Sequence, residues 1–308
     1  MKWFVMVLLI LVLLLVGVYL VLNPEKNDLD DSERARLSGT YLQLSDGVTH
    51  YRLDGPAGGR VVVLVHGGTV PIWTWDRQVP ALIDAGFRVL TYDKYGRGYS
   101  DRPEETYDQE LYLRQLLELA DRLSLTEPFD LVGLSLGGGT VINFTARHPE
   151  RVRSLVLIAP LIQNFKISTL MRTPVLGEFM ARTVGIRVMT ERFVSLFDQV
   201  ENADRYTSLF IEQTTYRGFQ RSVLSMLRSD AVGDYRDAYR RVGDQERETL
   251  LIWGTEDTEV TREMIEEVRE SLPRLRFEPI EGTGHGVVFQ RPQRVTDLIL
   301  DFLQPHED

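Results

Sequence analysis

Residues 129–140 read Phe-Asp-Leu-Val-Gly-Leu-Ser-Leu-Gly-Gly-Gly-Thr, and their reading decides the fold. The first half is an apolar run that predicts a strand. The centre, Gly133-Leu134-Ser135-Leu136-Gly137, is a G-x-S-x-G motif. The second half opens a helical stretch that ends near His148. A serine on a sharp strand-to-helix turn has its hydroxyl projected above the sheet, and its neighbours two positions away must be small. The following helix aims its positive end at charge developing on a substrate carbonyl. This pattern predicts Ser135 as a nucleophile and the Leu136 main-chain N–H as an oxyanion donor. The motif alone recurs by chance; its strand–turn–helix setting carries the prediction.

Working outward, short apolar runs alternate with amphipathic stretches, as in a layered α/β sheet. Arg60–Val65, Arg88–Tyr92, Ser154–Ile158, Thr249–Trp253 and Leu275–Ile280 read as strands, several of them continuous β-branched runs suited to burial on both faces. Thr40–Leu44 and Thr49–Leu53 flank Ser45-Asp46-Gly47 and predict a hairpin. Leu113, Leu116, Leu117, Ala120 and Leu123 form a helical stripe, with Thr106 and Gln109 as the expected capping box. Leu161–Glu246 holds no convincing strand and several helical patterns, so it predicts a helical subdomain.

Ser135 needs a base, and in this setting the expected chain order is serine, acid, histidine. Of the five histidines, His50 lies in the hairpin, His148 ends a helix and His306 is in the polar tail. His66 ends the strand Arg-Val-Val-Val-Leu-Val and suits a local backbone bond. His285, in Gly-Thr-Gly-His-Gly, remains as the base. The acid should follow a strand end; Asp257 does so after Thr-Leu-Leu-Ile-Trp, with Glu256 and Glu259 as rivals. The stretch after Ile158, Ala159 to Asn164, holds no carboxylate. The second oxyanion donor is expected in the loop after Val65, at the N–H of Gly68, with Thr69 a lesser candidate.

These marks resemble the α/β-hydrolase superfamily over nearly the whole chain after residue 39. The resemblance rests on His-Gly-Gly at 66–68, Asp-Lys-Tyr-Gly-Arg-Gly-Tyr-Ser-Asp-Arg-Pro at 93–103, Gly-Leu-Ser-Leu-Gly-Gly at 133–138, Arg147–Ile158, Trp253–Asp257 and Gly282–His285. It implies a mostly parallel eight-stranded sheet with a helical cap inserted after the sixth strand. It also implies that Asp93–Ser100 is a structural loop, so Asp93, Arg97 and Ser100 are given no catalytic role. Ser135 argues against the aspartate-nucleophile branches, the epoxide hydrolases and haloalkane dehalogenases. Proline iminopeptidases, carbon–carbon bond hydrolases and a non-enzymatic ligand-binding homologue are the alternatives to an esterase.

The N-terminus narrows the resemblance further. Trp3–Leu22 is apolar throughout, and about 20 helical residues span a bilayer core of roughly 30 Å. This run exceeds a signal-peptide core of about 7–15 residues, which predicts an uncleaved transmembrane anchor. The flanking basic residues do not set its orientation; a short leading tail favours a periplasmic or otherwise extracytoplasmic catalytic domain. With the anchor, the chain is most similar to membrane-bound bacterial esterases, monoacylglycerol lipases and phospholipases A. The expected substrates are acyl esters including lipids, with Leu161, Ile162, Phe165, Leu170, Met171, Leu176, Phe179 and Met180 as apolar cap groups, some lining an acyl tunnel. A small Gly68-Thr69 pair, where many relatives carry an aromatic, leaves the acyl pocket wide.

The expected organisation is therefore an anchor at 1–22, a linker or helix at 23–38, core at 39–160, cap at 161–246 and core again at 247–308. The chain has 308 residues, 43% of them hydrophobic, and a net charge of −10, which disfavours a nucleic-acid partner. It has no cysteine and no histidine pair at metal-ligand spacing, so no cofactor or metal is expected. A homodimer is left open.

Overall fold

The computed structural model describes residues 1–37, 39–163, 167–197, 200–245 and 247–304. His306 and Phe165 lie outside them.

Eight strands are described: β1 (Thr40–Gln43), β2 (Val48–Asp54), β3 (Val61–Val65), β4 (Arg88–Tyr92), β5 (Phe129–Leu134), β6 (Val152–Ile158), β7 (Thr249–Gly254) and β8 (Leu275–Ile280). They form one sheet in the order β1-β2-β4-β3-β5-β6-β7-β8. The β1–β2 hairpin is antiparallel, β2 runs antiparallel to β4, and every pairing from β4 through β8 is parallel. The chain is read as continuous apolar runs because both faces of the central strands are covered. On β3, Val63 and Val65 join one core cluster and Val62 and Leu64 join the other. Alternate residues face opposite sides of a strand, so a strand with two buried faces has no polar position to spare. Each such side chain contributes roughly 1.5–3 kcal/mol relative to exposure.

The helices are α1 (Lys2–Val21), α2 (Asp31–Arg34), α3 (Val79–Asp84), α4 (Gln109–Arg122), α5 (Leu136–Arg147), α6 (Thr169–Arg172), α7 (Leu176–Met180), α8 (Ile186–Leu196), α9 (Ala203–Thr214), α10 (Phe219–Arg228), α11 (Arg236–Gly243), α12 (Arg262–Ser271), α13 (Val287–Gln290) and α14 (Pro292–Leu303). The α4 cap differs from expectation. Asp108, one residue before the helix, accepts the Leu111 N–H at 2.9 Å. Its carboxylate sits where the first-turn donors are unpaired, so Thr106 is not the capping residue.

Helices α6–α10 form a helical cap between β6 and β7. Helix α11 packs instead on α5 and α12, placing Tyr239 and Val242 in the same cluster as Leu157. An aromatic cluster seats the cap on the core. Trp73 stacks on Tyr206 at 5.4 Å between ring centroids, and Phe197 meets Phe289 edge-on at 5.0 Å. The segment before β1 is also attached to the cap. Glu25 is buried and accepts the N–H groups of Gly218 and Gln220 at the start of α10, while Asn27 bridges to Tyr216.

Helix α1 is the one described helix long and apolar enough to cross a membrane, and none of its residues is buried. Length and apolarity are also what a signal sequence near an N-terminus shows. They therefore do not establish the transmembrane anchor expected from the sequence.

Candidate active site

The site lies at the carboxyl ends of β5, β7 and β8, beneath the cap. Ser135 sits between β5 and α5 with φ 54° and ψ −119°. This conformation is sparsely populated for a residue with a side chain, and tight packing holds it. A Cβ on Gly133 would lie 2.5 Å from Gly137 O, and one on Gly137 would lie 2.2 Å from Val65 O. The motif's two glycines are thus places where backbone touches backbone.

The structure brings Ser135, His285 and Asp257 together although they are far apart in sequence. His285 Nε2 is 3.0 Å from Ser135 Oγ, and Nδ1 is 2.8 Å from Asp257 Oδ2. A carboxylate can only accept, so Nδ1 carries the proton and Nε2 is free to accept from the serine hydroxyl. Asp257 is itself fixed, its Oδ1 accepting the N–H groups of Glu259 and Val260 at 2.8 and 2.9 Å. Burial works against the charged form of His285, but the Asp257 hydrogen bond and charge, helped by Glu259, hold its pKa above the ordinary value.

Of the acids weighed from sequence, Asp257 reaches Nδ1 and Glu259 reaches the other ring nitrogen, with Oε2 3.7 Å from Nε2. Glu259 also pairs with Arg192 of α8, 2.5 Å away. Gly68 and Leu136 flank the serine: a Cβ on Gly68 would meet the Leu136 side chain at 3.6 Å, and one on Gly67 would meet Ser135 Cβ at 3.6 Å. As the first residue of α5, Leu136 has an N–H with no intrahelical acceptor.

The other histidines are engaged elsewhere. His66 is fully buried, its Nδ1–H donates to Gly67 O at 2.8 Å, and its Nε2 accepts the Lys94 N–H at 2.9 Å. Burial, then the nearby Lys94, push its pKa down to about 3, so it is neutral. His50 donates to Asp93 Oδ2 at 2.7 Å in the loop after β4. His148 ends α5.

Ser135 and His285 open into a cavity of about 510 Å³ between core and cap. Leu161, Met171 and Met180 line it among many apolar groups, while Leu170 and Leu176 are exposed. Arg192 and Glu259 are its charged lining residues. Sequence reading missed Arg192, because nothing in a cap helix's own pattern says which side chain turns inward. Among the described residues, no group of three or more His, Asp or Glu side chains is placed to hold a metal ion.

The sequence model of the Alpha/beta hydrolase family matches residues 62–298. The chain belongs to this family, and so to a family of enzymes acting on small organic substrates. It is 27% identical over 220 residues to the 2-hydroxymuconate semialdehyde hydrolase of Pseudomonas putida, covering 70% of this chain and 76% of that protein. The meta-cleavage product hydrolase of Pseudomonas fluorescens is 25% identical with a TM-score of 0.66, over 86% of this chain and 97% of that one. The enol-lactonase of Burkholderia xenovorans, 24% identical, superposes with a TM-score of 0.73 over 86% and 99% of the two chains, a likeness of fold.

These comparisons correct the narrower resemblance. Several relatives are named as hydrolases of 2-hydroxymuconate semialdehyde, 2-hydroxy-6-oxo-dienoates or meta-cleavage products, and one, of Synechocystis, as a putative non-heme chloroperoxidase; none of these is named as a lipase or phospholipase. The family match begins at residue 62, so α1 plays no part in it. The membrane-bound lipase or phospholipase assignment, the lipid substrate and the membrane localisation do not stand.

Proposed function

We propose that this chain is a serine-nucleophile hydrolase that cleaves a carbon–carbon bond beside a ketone, in a small conjugated acid of the 2-hydroxy-6-oxo-dienoate kind. The observation that carries the reading is the hydrogen-bonded run Ser135–His285–Asp257 opening into the apolar cavity. The choice of bond follows the names of relatives such as the 2-hydroxymuconate semialdehyde and 2-hydroxy-6-oxo-2,4-heptadienoate hydrolases.

Ser135 Oγ attacks the ketone carbon while His285 Nε2 takes its proton. Asp257 keeps the imidazole in the required tautomer and stabilises its cation. The N–H groups of Gly68 and Leu136 hold the oxyanion. The 2-hydroxydienoate reacts as its keto tautomer, with the enol proton moved to C5. Collapse of the adduct breaks the C5–C6 bond, the electron pair enters the enone as a dienolate, and His285 gives its proton to the dienolate oxygen. Water then splits the acyl-enzyme. One water is consumed, and a carboxylic acid and a hydroxydienoic acid leave. The apolar lining suits the hydrocarbon parts, and Arg192 is the cationic lining group available to a substrate carboxylate, in exchange with Glu259.

Purified protein should bleach the absorbance of 2-hydroxy-6-oxo-dienoates, tested with small and large 6-substituents beside p-nitrophenyl esters. Turnover of the esters with none of the dienoates would refute the choice of bond. Turnover of neither would refute the site.

A further inference from the structure

The candidate oxyanion loop contains two successive glycines, Gly67 and Gly68, with no Cβ to restrict either backbone. Three side chains restrict it instead. Gly67 O accepts from His66 Nδ1 at 2.8 Å, Gly68 O from Arg97 Nε at 2.5 Å, and Thr69 O from Gln213 Nε2 at 2.9 Å. In a trans peptide the carbonyl and the following N–H point opposite ways. Holding the first two carbonyls therefore sets the direction of the Gly68 and Thr69 N–H groups, on residues that line the cavity.

His66 is local to the loop, but Arg97 reaches further. Its Nη1 donates to Ser222 Oγ at 2.6 Å and to Gly96 O at 2.8 Å, and its Nη2 points at Met226 Sδ at 3.3 Å. Ser222 and Met226 both belong to α10 of the cap. Phe219, the first residue of α10, has its ring centroid 5.6 Å from the guanidinium. Arg97 and Ser222 are fully buried. Every acceptor Arg97 uses is neutral, and a buried cation with no carboxylate is costly. A planar fork of donors meets this set of acceptors on two elements at once; a lysine, with one ammonium, does not.

The geometry points to Arg97 as a positioning residue that ties the seating of cap helix α10 to the setting of the oxyanion loop. When α10 is seated, the guanidinium is held by Ser222 and Met226 and in turn holds the Gly68 carbonyl. When α10 shifts, that hold on the loop is released. This inference rests on the reading of Ser135 and of the oxyanion loop given above; within that loop Arg97, through the Gly68 carbonyl, sets the N–H of Thr69, the other donor candidate there, while His66 sets that of Gly68.

Arg97→Met keeps volume and removes every donor, Arg97→Lys keeps the charge without the fork, and Ser222→Ala removes the cap anchor while leaving Arg97 in place. Each is compared with wild type on p-nitrophenyl acetate, with active sites counted by fluorophosphonate titration. Inhibition by a trifluoromethyl ketone, whose serine adduct carries an oxyanion, is measured in parallel. Deleting an oxyanion donor outright costs about 10²–10³ in kcat, so loosening one should cost roughly 10–100-fold. Arg97→Met is expected to lose that in kcat per active site with little change in KM. Its ketone inhibition constant should rise by the same factor, with Arg97→Lys partly restored and Ser222→Ala shifted in the same sense by less. A residue with only a structural role would lower the melting temperature or the titrated fraction and leave the per-site kcat and the inhibition constant unchanged; that result overturns the proposal. If Arg97→Met does not fold, Arg97→Lys and Ser222→Ala are read by the same criteria. Wild-type protein that reacts with neither reagent at Ser135 overturns the underlying reading of the site as well.

Discussion

Glu259 Oε2 stands 3.7 Å from His285 Nε2, on the side of the imidazole opposite the nitrogen that Asp257 holds. The ring thus has a carboxylate near each nitrogen, and both favour the imidazolium over the neutral base. The base works only when neutral. The acid limb of kcat/KM should therefore have its midpoint above the ordinary histidine value of about 6.5. Glu259→Gln should move that limb to lower pH with the plateau largely kept. A limb that stays in place would show that Glu259 does not act on His285.

Removal of the nucleophile or its base should abolish turnover in a folded protein. Ser135→Ala and His285→Ala are each expected to lower kcat by about 10⁶, with melting temperatures near wild type. Asp257→Asn, which allows the wrong tautomer, should cost about 10⁴. Glu256→Gln should be mild. Steady-state kinetics beside thermal melts decide this, and an active Ser135→Ala would refute the assignment.

The turn around Ser135 offers a test of packing. A methyl at Gly137 would meet the carbonyl oxygens of Val65 and His66 at 2.2 and 2.6 Å. Backbone cannot yield as a flexible side chain does, so Gly137→Ala should destabilise by at least the roughly 1–3 kcal/mol of ordinary overpacking. It should also reduce activity by moving Leu136. Urea denaturation gives the first quantity; unchanged stability would mean that β3 and α5 are less closely apposed.

Lys94 presents a different cost. It is fully buried, its Nζ has no hydrogen-bond partner among the described residues, and it lies 4.7 Å from the centre of the Tyr112 ring. Burial, reinforced by Arg97, drives its pKa well down. Unfolded, the amine takes a proton below about pH 10.4. Stability is therefore present above that pH and lost as pH falls toward the folded value. Lys94→Met should raise stability at pH 7 by about 1–4 kcal/mol and flatten its dependence on alkaline pH. A loss of stability at pH 7 would contradict this.

The central strands were legible because runs such as Val61–Val65 leave no polar position, which only a doubly covered strand tolerates, and β1 and β2 because they flank the Ser45-Asp46-Gly47 turn. Ser135, Asp257 and His285 were legible because each follows a recognisable strand. What was not legible depends on how elements pack. The approach of Arg192 to Glu259, and of Gln213 to Thr69 O, is set by how the cap seats on Trp73 and Phe289. No residue pattern within α8 or α9 records that seating. The bond to be cleaved was not legible either. A Ser–His–Asp arrangement serves many carbonyl reactions, and apolar cap residues describe the shape of a pocket without its chemistry. An apolar run of twenty residues likewise states a length and a polarity, which two different cellular fates share.

The attachment of Glu25 and Asn27 to the cap relocates the start of the folded unit. Asn23, Glu25 and Asn27 are fastened to the cap rather than hanging free. Glu25 supplies acceptors to the first turn of α10, the helix whose Ser222 holds Arg97. A chain shortened to begin at β1 would expose those N–H groups and leave α10 less firmly placed. The damage would then surface some distance away, as a catalytic fault in a protein whose sheet is intact.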